Sequence, residues 1–517
     1  MKNVFLKFSI GRTFIVKKEL DSKNGNIPYI LLFERDKLTK YFEISEKNLE
    51  TYKAFYLAPR PIGIEVITKS WNYFNVILLD NEEIQNIFIQ KICPKIGEIS
   101  LPDFLILTEE APQPDSMIIE INKKFCSVFY IEVNKTLVPV TYAPFNYTHL
   151  PLDSEVKKTI LSFGNEKNFT MSVLKNNEIT ISPNFGELSN LYELDALEFL
   201  IKSIVSNEKN NITYLQEEDS YSIINNLPIR HHNQKNIFTV NHIESHFVNL
   251  LYDNNIKEKI IGIIYDSISY DTKDEIAGSN IVLGDINNFQ AIGKWKPLPL
   301  PGGDIANIEP WRIALGALKE LLKSDLESLE LPIIKSVKDN PHYSYLFDAI
   351  NKNVISYSLS SSMHHIIAAI GEILFFEGSV KNFDFFEMMV DETIKSEINE
   401  YYDLPIMKEE EIYLIDTYEL IRNVLKDVFE QKDRRLIFGI ALKSILLNTI
   451  KLLKTISKEH SIDKIGISGE LFKHPNILQT TIKTLEKEGF NVILPKHIPL
   501  DDSAISVGQI IAFLHQA

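Results

Sequence analysis

The run Ile260-Ile261-Gly262-Ile263-Ile264-Tyr265-Asp266 is the feature that most constrains this chain. It is too short and too uniformly apolar for an amphipathic surface helix, and it reads as a buried strand. Strands of that kind belong to α/β sheets, which present ligand-binding groups where a strand ends, and here the run ends on a carboxylate. A turn or helix cap is the ordinary alternative for Asp266. Upstream, His242 and His246 are four apart. On a helix they share one face and could share a metal ion, or they could simply line a surface or core. Downstream, Leu300-Pro301-Gly302-Gly303-Asp304 reads as a tight turn. Its glycines permit close approach of a ligand, or else serve a structural loop. Residues 309–323 follow as a helix, with Pro310 in the first turn, where a missing N–H costs nothing.

A chain of 517 residues is too long for one core and implies two to four domains. Its formal net charge of −16 opposes broad non-specific nucleic-acid binding. Cys93 and Cys126 are the only cysteines, which excludes both a disulfide framework and a cysteine metal cluster and makes the cytoplasm the expected location. No stretch reads as a signal peptide or a membrane span, so no membrane partner is expected.

The order histidine pair, strand ending in Asp, Leu-Pro-Gly-Gly-Asp turn and Glu309-Pro310-Trp311-Arg312 resembles the carbamoyltransferase domain of the HypF family of hydrogenase maturation proteins. The closing stretch Ile498-Pro499-Leu500-Asp501-Asp502-Ser503-Ala504 resembles that family's final motif. The resemblance implies an α/β fold: residues 151–517 as an actin/hexokinase-like, two-lobed carbamoyltransferase domain, with lobes of about 151–255 and 256–517. It also implies that His242, His246 and Asp502 hold one divalent ion. Two imidazoles and a carboxylate suit iron or zinc better than magnesium. Asp501 and Asp502 also read as a turn capping a helix that starts at Ala504. Asp266 joins the histidines and Asp502 as an expected catalytic residue. Ser267, Gly278, Gly302, Gly303, Asp304, Ser468 and Gly469 fall at positions that contact ATP or carbamoyl-adenylate in the family.

Residues 1–150 read as an α/β domain, with strands over 27–33 and 60–66 and a helix over 46–55. From Pro28, through Arg60-Pro61-Ile62 and Leu105-Ile106-Leu107-Thr108-Glu109-Glu110, to Tyr142-Ala143-Pro144, they resemble the later part of the family's YrdC-like domain. The family's glycine-rich, cationic opening has no counterpart in residues 1–26. Glu109 and Glu110 stand where a phosphate-rich ligand would sit, and like charges repel there. A degenerate YrdC-like domain that forms no adenylate is the expectation. The acylphosphatase and zinc-binding modules of the family are not recognised.

Within the transferase-like region, Gly164-Asn165-Glu166-Lys167-Asn168-Phe169 and a strand over 179–182 match the first half in order, followed by a helix over 194–204. Helical segments at 363–376, 414–429 and 438–457 precede a last unit of strand 464–469, helix 475–488 and strand 490–494. The phosphate-wrapping Gly-Thr-Gly that follows Asp266 in the family is Ser267-Ile268-Ser269 here. A β-branched residue does not take up glycine's dihedrals readily. A Gly-Arg-Leu-Phe-Asp stretch is His364-His365-Ile366-Ile367-Ala368, and a glycine after Gly469 is Glu470. A further Trp-Gly-Gly-Glu is Ala277-Gly278-Ser279-Asn280.

The resemblance implies a divergent carbamoyltransferase that passes a nucleotide-activated carbamoyl group to the C-terminal cysteine of a HypE-like partner in nickel–iron hydrogenase maturation. The substitutions keep open a non-catalytic scaffold or regulator, and the fold also admits small-molecule O-carbamoylation. Self-association into a homo-oligomer is left open by the sequence.

Overall fold

The computed structural model describes five short strands before residue 128, residues 128–217 in part, and residues 236–516 apart from 273–274, 304, 342, 376–397 and 399. The helix expected over 46–55, the strand over 60–66, the 105–111 stretch, most of the 194–204 helix and Asp304 lie outside the described residues. The chain forms two compact units, one of residues 1–241 with 495–517 and the other of residues 242–494. These units do not coincide with the expected lobes, whose division falls after the helix that opens the second unit.

In the second unit, helix α1 (His242–Asp253) is followed by β1 (Ile260–Thr272), β2 (Glu275–Gly284), β3 (Phe289–Trp295) and β4 (Leu298–Pro301). Next come α2 (Ile305–Ile308), α3 (Trp311–Leu322), α4 (Pro332–Asp339), α5 (Ser344–Asn351), β5 (Tyr357–Ser360) and α6 (Met363–Phe375). The unit closes with β6 (Ile406–Glu409), β7 (Ile412–Ile415), α7 (Thr417–Phe429), α8 (Arg434–His460), β8 (Lys464–Ser468), α9 (Pro475–Lys487) and β9 (Asn491–Ile493). The main sheet path is β6-β7-β3-β2-β1-β8-β9, with β5 joining β2 and β4 joining β5. Strand β1 is central, antiparallel to β2 and parallel to β8. Its isoleucines 260, 261, 263 and 264 are all buried, as a strand covered on both faces requires.

One sequence expectation changes here. Asp266 does not end the strand, because β1 runs on to Thr272. The ladder nevertheless breaks at that point: pairing with β8 stops at Ile264↔Ser468, and pairing with β2 jumps from Tyr265↔Ser279 to Ser269↔Ala277. Such an irregularity bends the strand and re-aims its side chains. The carboxylate is thus released from the sheet in mid-strand.

Helix α1 lies on this sheet through Ile243, Phe247 and Leu251, at i, i+4 and i+8, which pack with Ile256, Ile260, Ile264 and Val282. Each such side chain contributes roughly 1.5–3 kcal/mol by leaving water. His242 and His246 are one position removed from this stripe, so packing of the stripe fixes where the imidazoles stand.

The expected helices at 309–323, 363–376, 414–429 and 438–457 are α3, α6, α7 and α8, although residues 414 and 415 end the β6–β7 hairpin and α7 starts only at Thr417. Pro310 takes the N-cap position of α3 with φ −65°, one residue outside the hydrogen-bonded turn. Contrary to the sequence reading, α8 is long and apolar enough to cross a membrane. Most of that apolar stretch is buried, and α8 packs against α6 and α7, so it is read as a core helix.

The first unit holds a five-stranded sheet, ordered Val4–Lys7, Thr13–Lys17, Met117–Glu120, Val128–Val133, Thr136–Tyr142, among the described residues. A six-stranded sheet runs Ile237–Thr239, Ile212–Gln216, Thr159–Phe163, Met171–Lys175, Glu178–Ile181, Thr148–Pro151. Of the strand expected over 27–33, Tyr29–Leu31 are described and form a strand. Helix α10 (Ile505–Gln516) packs on the middle of the six-stranded sheet, which is why residues 495–517 join this unit.

Glu372 on α6 is buried, and among the described residues neither carboxylate oxygen has a hydrogen-bond partner. Burial pushes its carboxyl up to about 7. A raised acid binds its proton more tightly folded than unfolded. Stability therefore falls as pH rises from the unfolded value of about 4.3 through about 7 and then levels off, at a loss of roughly 3–4 kcal/mol. Glu372→Met should remove that slope, raising stability at pH 8 much more than at pH 5 in urea denaturation. Equal gains at the two pH values would show that the carboxyl ionises normally in the folded chain.

Candidate metal centre

The two histidines of α1 stand together as their spacing predicts. Their ring centroids are 4.9 Å apart with an edge-on interplanar angle of 63°, and both side chains are buried. The break in β1 aims Asp266 between them. His242 donates through Nε2 to Asp266 Oδ2 at 2.6 Å, and His246 Nε2 lies 3.6 Å from the same oxygen. The two imidazole nitrogens and the carboxylate oxygen all fall within 4.8 Å of one another. Burial alone would raise the Asp266 carboxyl, but the charge and hydrogen bond of His242, with those of His246, hold it well below the usual carboxylate range.

Three buried donors at this spacing fit a divalent cation: two neutral imidazoles and a carboxylate are the donor set of iron and zinc sites. The ligand set expected from sequence placed Asp266 among catalytic groups and left it out of the metal. The geometry brings it into the donor cluster. The strand alternation could have revealed this only together with the ladder break, which has no signature in Tyr265-Asp266-Ser267.

The corner after β8 closes the cluster. Ser468 Oγ lies 3.2 Å from His246 Nδ1, and the Glu470 main-chain N–H donates to Asp266 Oδ1 at 3.1 Å. Between them Gly469 has φ +109°, and a Cβ there would stand 2.3 Å from the Tyr265 carbonyl oxygen. Only glycine fits. The Glu470 side chain, which stands where the family has a glycine, pairs with Lys473 at 3.1 Å.

Gly278 on β2 has φ +144°, and a Cβ would lie 2.7 Å from the Asp266 carbonyl oxygen. Ser362 Oγ donates to that same carbonyl at 3.3 Å. Ser267 continues β1 immediately after Asp266. Gly302 and Gly303 form the expected turn with φ of +94° and +60°, and Gly303 N–H donates to Leu300 O at 3.2 Å. This turn abuts the Glu309-Pro310-Trp311-Arg312 segment, since a Cβ on Gly302 would meet Arg312 Nη1 at 2.9 Å. Arg312 itself pairs with Glu309 at 2.5 Å and lies over the buried Trp311 ring at 5.1 Å. Sequence reasoning missed His365, whose Nδ1 accepts from Ser360 Oγ at 2.6 Å while Nε2 lies 2.6 Å from Asn307 Oδ1. It ties α6 to the short helix that follows the Gly-Gly turn.

Asp502 belongs to the first unit, where it is buried at the start of a 3-10 turn, Asp502–Ala504. Its neighbour Asp501 is the cap: it accepts from Asn168 Nδ2 at 2.6 Å and from Ser503 N at 3.1 Å. The expected helix therefore starts at Ile505, one residue later than read from sequence.

Residues 262–509, which hold Asp266 and begin after His242 and His246, match the family model described as carbamoyltransferase, Kae1-like domain, second subdomain. The chain is HypF-like. It is 23% identical over 386 residues to the carbamoyltransferase HypF of Synechocystis sp., covering 70% of this chain and 48% of that protein. It is 23% identical over 372 residues to a probable carbamoyltransferase HypF of Methanocaldococcus jannaschii, covering 69% and 46%. The chain thus spans about half the length of these relatives. In fold it resembles a full-length HypF crystallised in a phosphate- and nucleotide-bound form, with a TM-score of 0.65 at 21% identity over 95% of this chain and 79% of that one. It also resembles the T. kodakarensis HypF structure, with a TM-score of 0.63 at 15% identity over 94% and 68%. The expected α/β fold is the fold observed, and it is shared with these two HypF structures.

Gly278→Ala should destabilise the chain by about 1–3 kcal/mol, because the site combines positive φ with a blocked Cβ position. Gly371→Ala, within α6 and with no atom in the way, should instead gain up to about 1 kcal/mol from helix propensity. Denaturant midpoints of the two variants read the contrast, and equal effects would contradict the close approach described at Asp266.

Proposed function

We propose that this chain is a divergent HypF-like carbamoyltransferase, in which His242, His246 and Asp266 hold a divalent iron or zinc ion beside a bound nucleotide. The observation that carries the reading is the convergence of the three buried donor atoms. Asp502 is added to this ligand set on the strength of the sequence motif it occupies. The cation, when bound, offsets and orients nucleotide phosphate charge. ATP or carbamoyl-adenylate as the nucleotide is supported by the nucleotide- and phosphate-bound state of the HypF relative.

The reaction is displacement at the carbamoyl carbon. An acceptor thiolate forms the C–S bond, the C–O bond to the adenylate phosphate breaks, and AMP leaves with the electron pair. The thiol, from the C-terminal cysteine of a HypE-like maturation partner, must lose its proton first, since the thiolate is the nucleophile. The chain's own contribution is placement. Gly278 and Gly469 keep backbone close to Asp266, and Gly303 of the Gly-Gly turn has open space beside it. Residues Ser267, Ile268, Ser269 and Asp304 are assigned to the same nucleotide region from sequence. The two serines that replace glycines, with Ile268 between them, predict weak nucleotide affinity, and misplacement by about 1 Å costs roughly 100-fold in rate. Residues 1–150 are assigned no adenylate-forming role.

The test supplies purified chain with ATP, labelled carbamoyl phosphate, divalent metal, a separate adenylate-forming YrdC-type domain and a HypE-like acceptor. Slow label transfer to the acceptor is expected, falling at least ~100-fold in His242→Ala and Asp266→Asn, in line with loss of a catalytic metal ligand. The same measurement on Asp502→Ala tests the assignment from sequence. Stable complex formation with no label transfer in any condition would replace this reading with a scaffold.

A further inference from the structure

We propose that the corner Ser468-Gly469-Glu470 is the positioning element of the metal centre, with Ser468 the residue that selects which nitrogen of His246 faces the cation. The inference rests on the metal reading above and concerns Ser468 and Gly469, assigned from sequence only to nucleotide contact, together with the Glu470 main chain. An imidazole can ligate through either nitrogen, and the hydrogen bond made by the other one decides. Here Nε2 faces the carboxylate cluster, and Nδ1 faces Ser468 Oγ at 3.2 Å. For Nε2 to give its lone pair to a cation, Nδ1 must carry the proton and donate it, and the buried serine oxygen is placed to accept.

The corner sets the carboxylate in the same way. Asp266 Oδ1 accepts the Glu470 main-chain N–H at 3.1 Å, which leaves Oδ2 as the oxygen turned to both histidines. Both contacts depend on chain direction at one place. Ser468 is the last residue of β8 paired with β1, opposite Ile264. Its side chain therefore points from the sheet at a fixed height relative to Asp266, two residues further along β1. Gly469 then turns against the Tyr265 carbonyl at a distance no Cβ allows, which swings the next N–H onto Asp266. One strand end thus orients two of the three donors. Any cation that accepts this donor set is served by it, so the ligand class is a divalent transition metal of the iron or zinc type.

The experiment loads the full chain with Co(II), then Zn(II), and measures affinity by chelator competition together with the Co(II) visible absorption spectrum. Ser468→Ala should weaken binding by about 10–100-fold, as loss of an outer-shell partner does, and shift the Co(II) band. Ser468→Thr retains the hydroxyl on a strand that tolerates β-branching and should restore both affinity and spectrum. Thermal unfolding of the metal-free variants separates orientation from packing. Wild-type affinity and spectrum in Ser468→Ala would overturn the inference while leaving the metal site in place. Equal losses in Ser468→Ala and Ser468→Thr, with equally lowered melting temperatures, would also overturn it, because packing would then be the cause. A wild-type chain that takes up no stoichiometric metal would defeat the underlying metal reading itself.

Discussion

A carboxylate with almost no solvent exposure governs this structure. Asp266 is buried, and an ionised carboxylate in such a place costs several kcal/mol unless its charge and lone pairs are met. His242, His246 and the Glu470 N–H meet them. They come from two elements, both histidines from α1 and the N–H from the corner after β8, so burying this one charge requires the helix, the central strand and the neighbouring strand to be in register together. The depressed Asp266 carboxyl contributes stability above the ordinary carboxylate range and loses it as pH falls through its folded-state value. Removing one partner would leave the charge uncompensated, which is the expensive case.

How much of this was legible in sequence follows from the range over which each signal acts. The histidine pair is local: four residues on a helix face each other whatever else happens, and α1 shows it. The apolar run 260–264 forced a buried strand for the same reason. Asp266 was legible as a ligand-bearing position but not as a partner of both histidines, since that depends on where the ladder with β2 slips. Ser468 and Glu470 were invisible as positioning groups because they act across more than 200 residues of chain. His365 was hidden too: its partners Ser360 and Asn307 are near in sequence only on one side.

The substitutions that set this chain apart from the family motifs divide into two kinds once their surroundings are known. Glu470 seemed to place a charge where glycine should pass, yet its carboxylate pairs with Lys473 and its main chain serves Asp266. A main-chain contact is indifferent to the side chain that accompanies it. Gly278 and Gly469 could not be exchanged in this way, because each contact there excludes a Cβ, and both remain glycine. What is retained is therefore the geometry around Asp266, while the replaced positions 267–269 follow it on the strand.

The pair Asp501-Asp502 shows the same economy in the other unit. Two adjacent carboxylates read ambiguously as a cap or as a ligand, and composition cannot divide the roles. The structure gives the capping role to Asp501, which receives Ser503 N–H and the Asn168 amide, while Ser503 Oγ accepts from Tyr142 N–H at 2.9 Å. Asn168 is in turn held by Asn184 through a 2.7 Å hydrogen bond. A buried polar network in which the members satisfy one another fixes its turn rigidly. The residue displaced by one position then inherits a defined direction without itself being the cap. The capping demand falls on Asp501 alone, so it is compatible with a chemical role at Asp502, and the two readings of the motif do not compete.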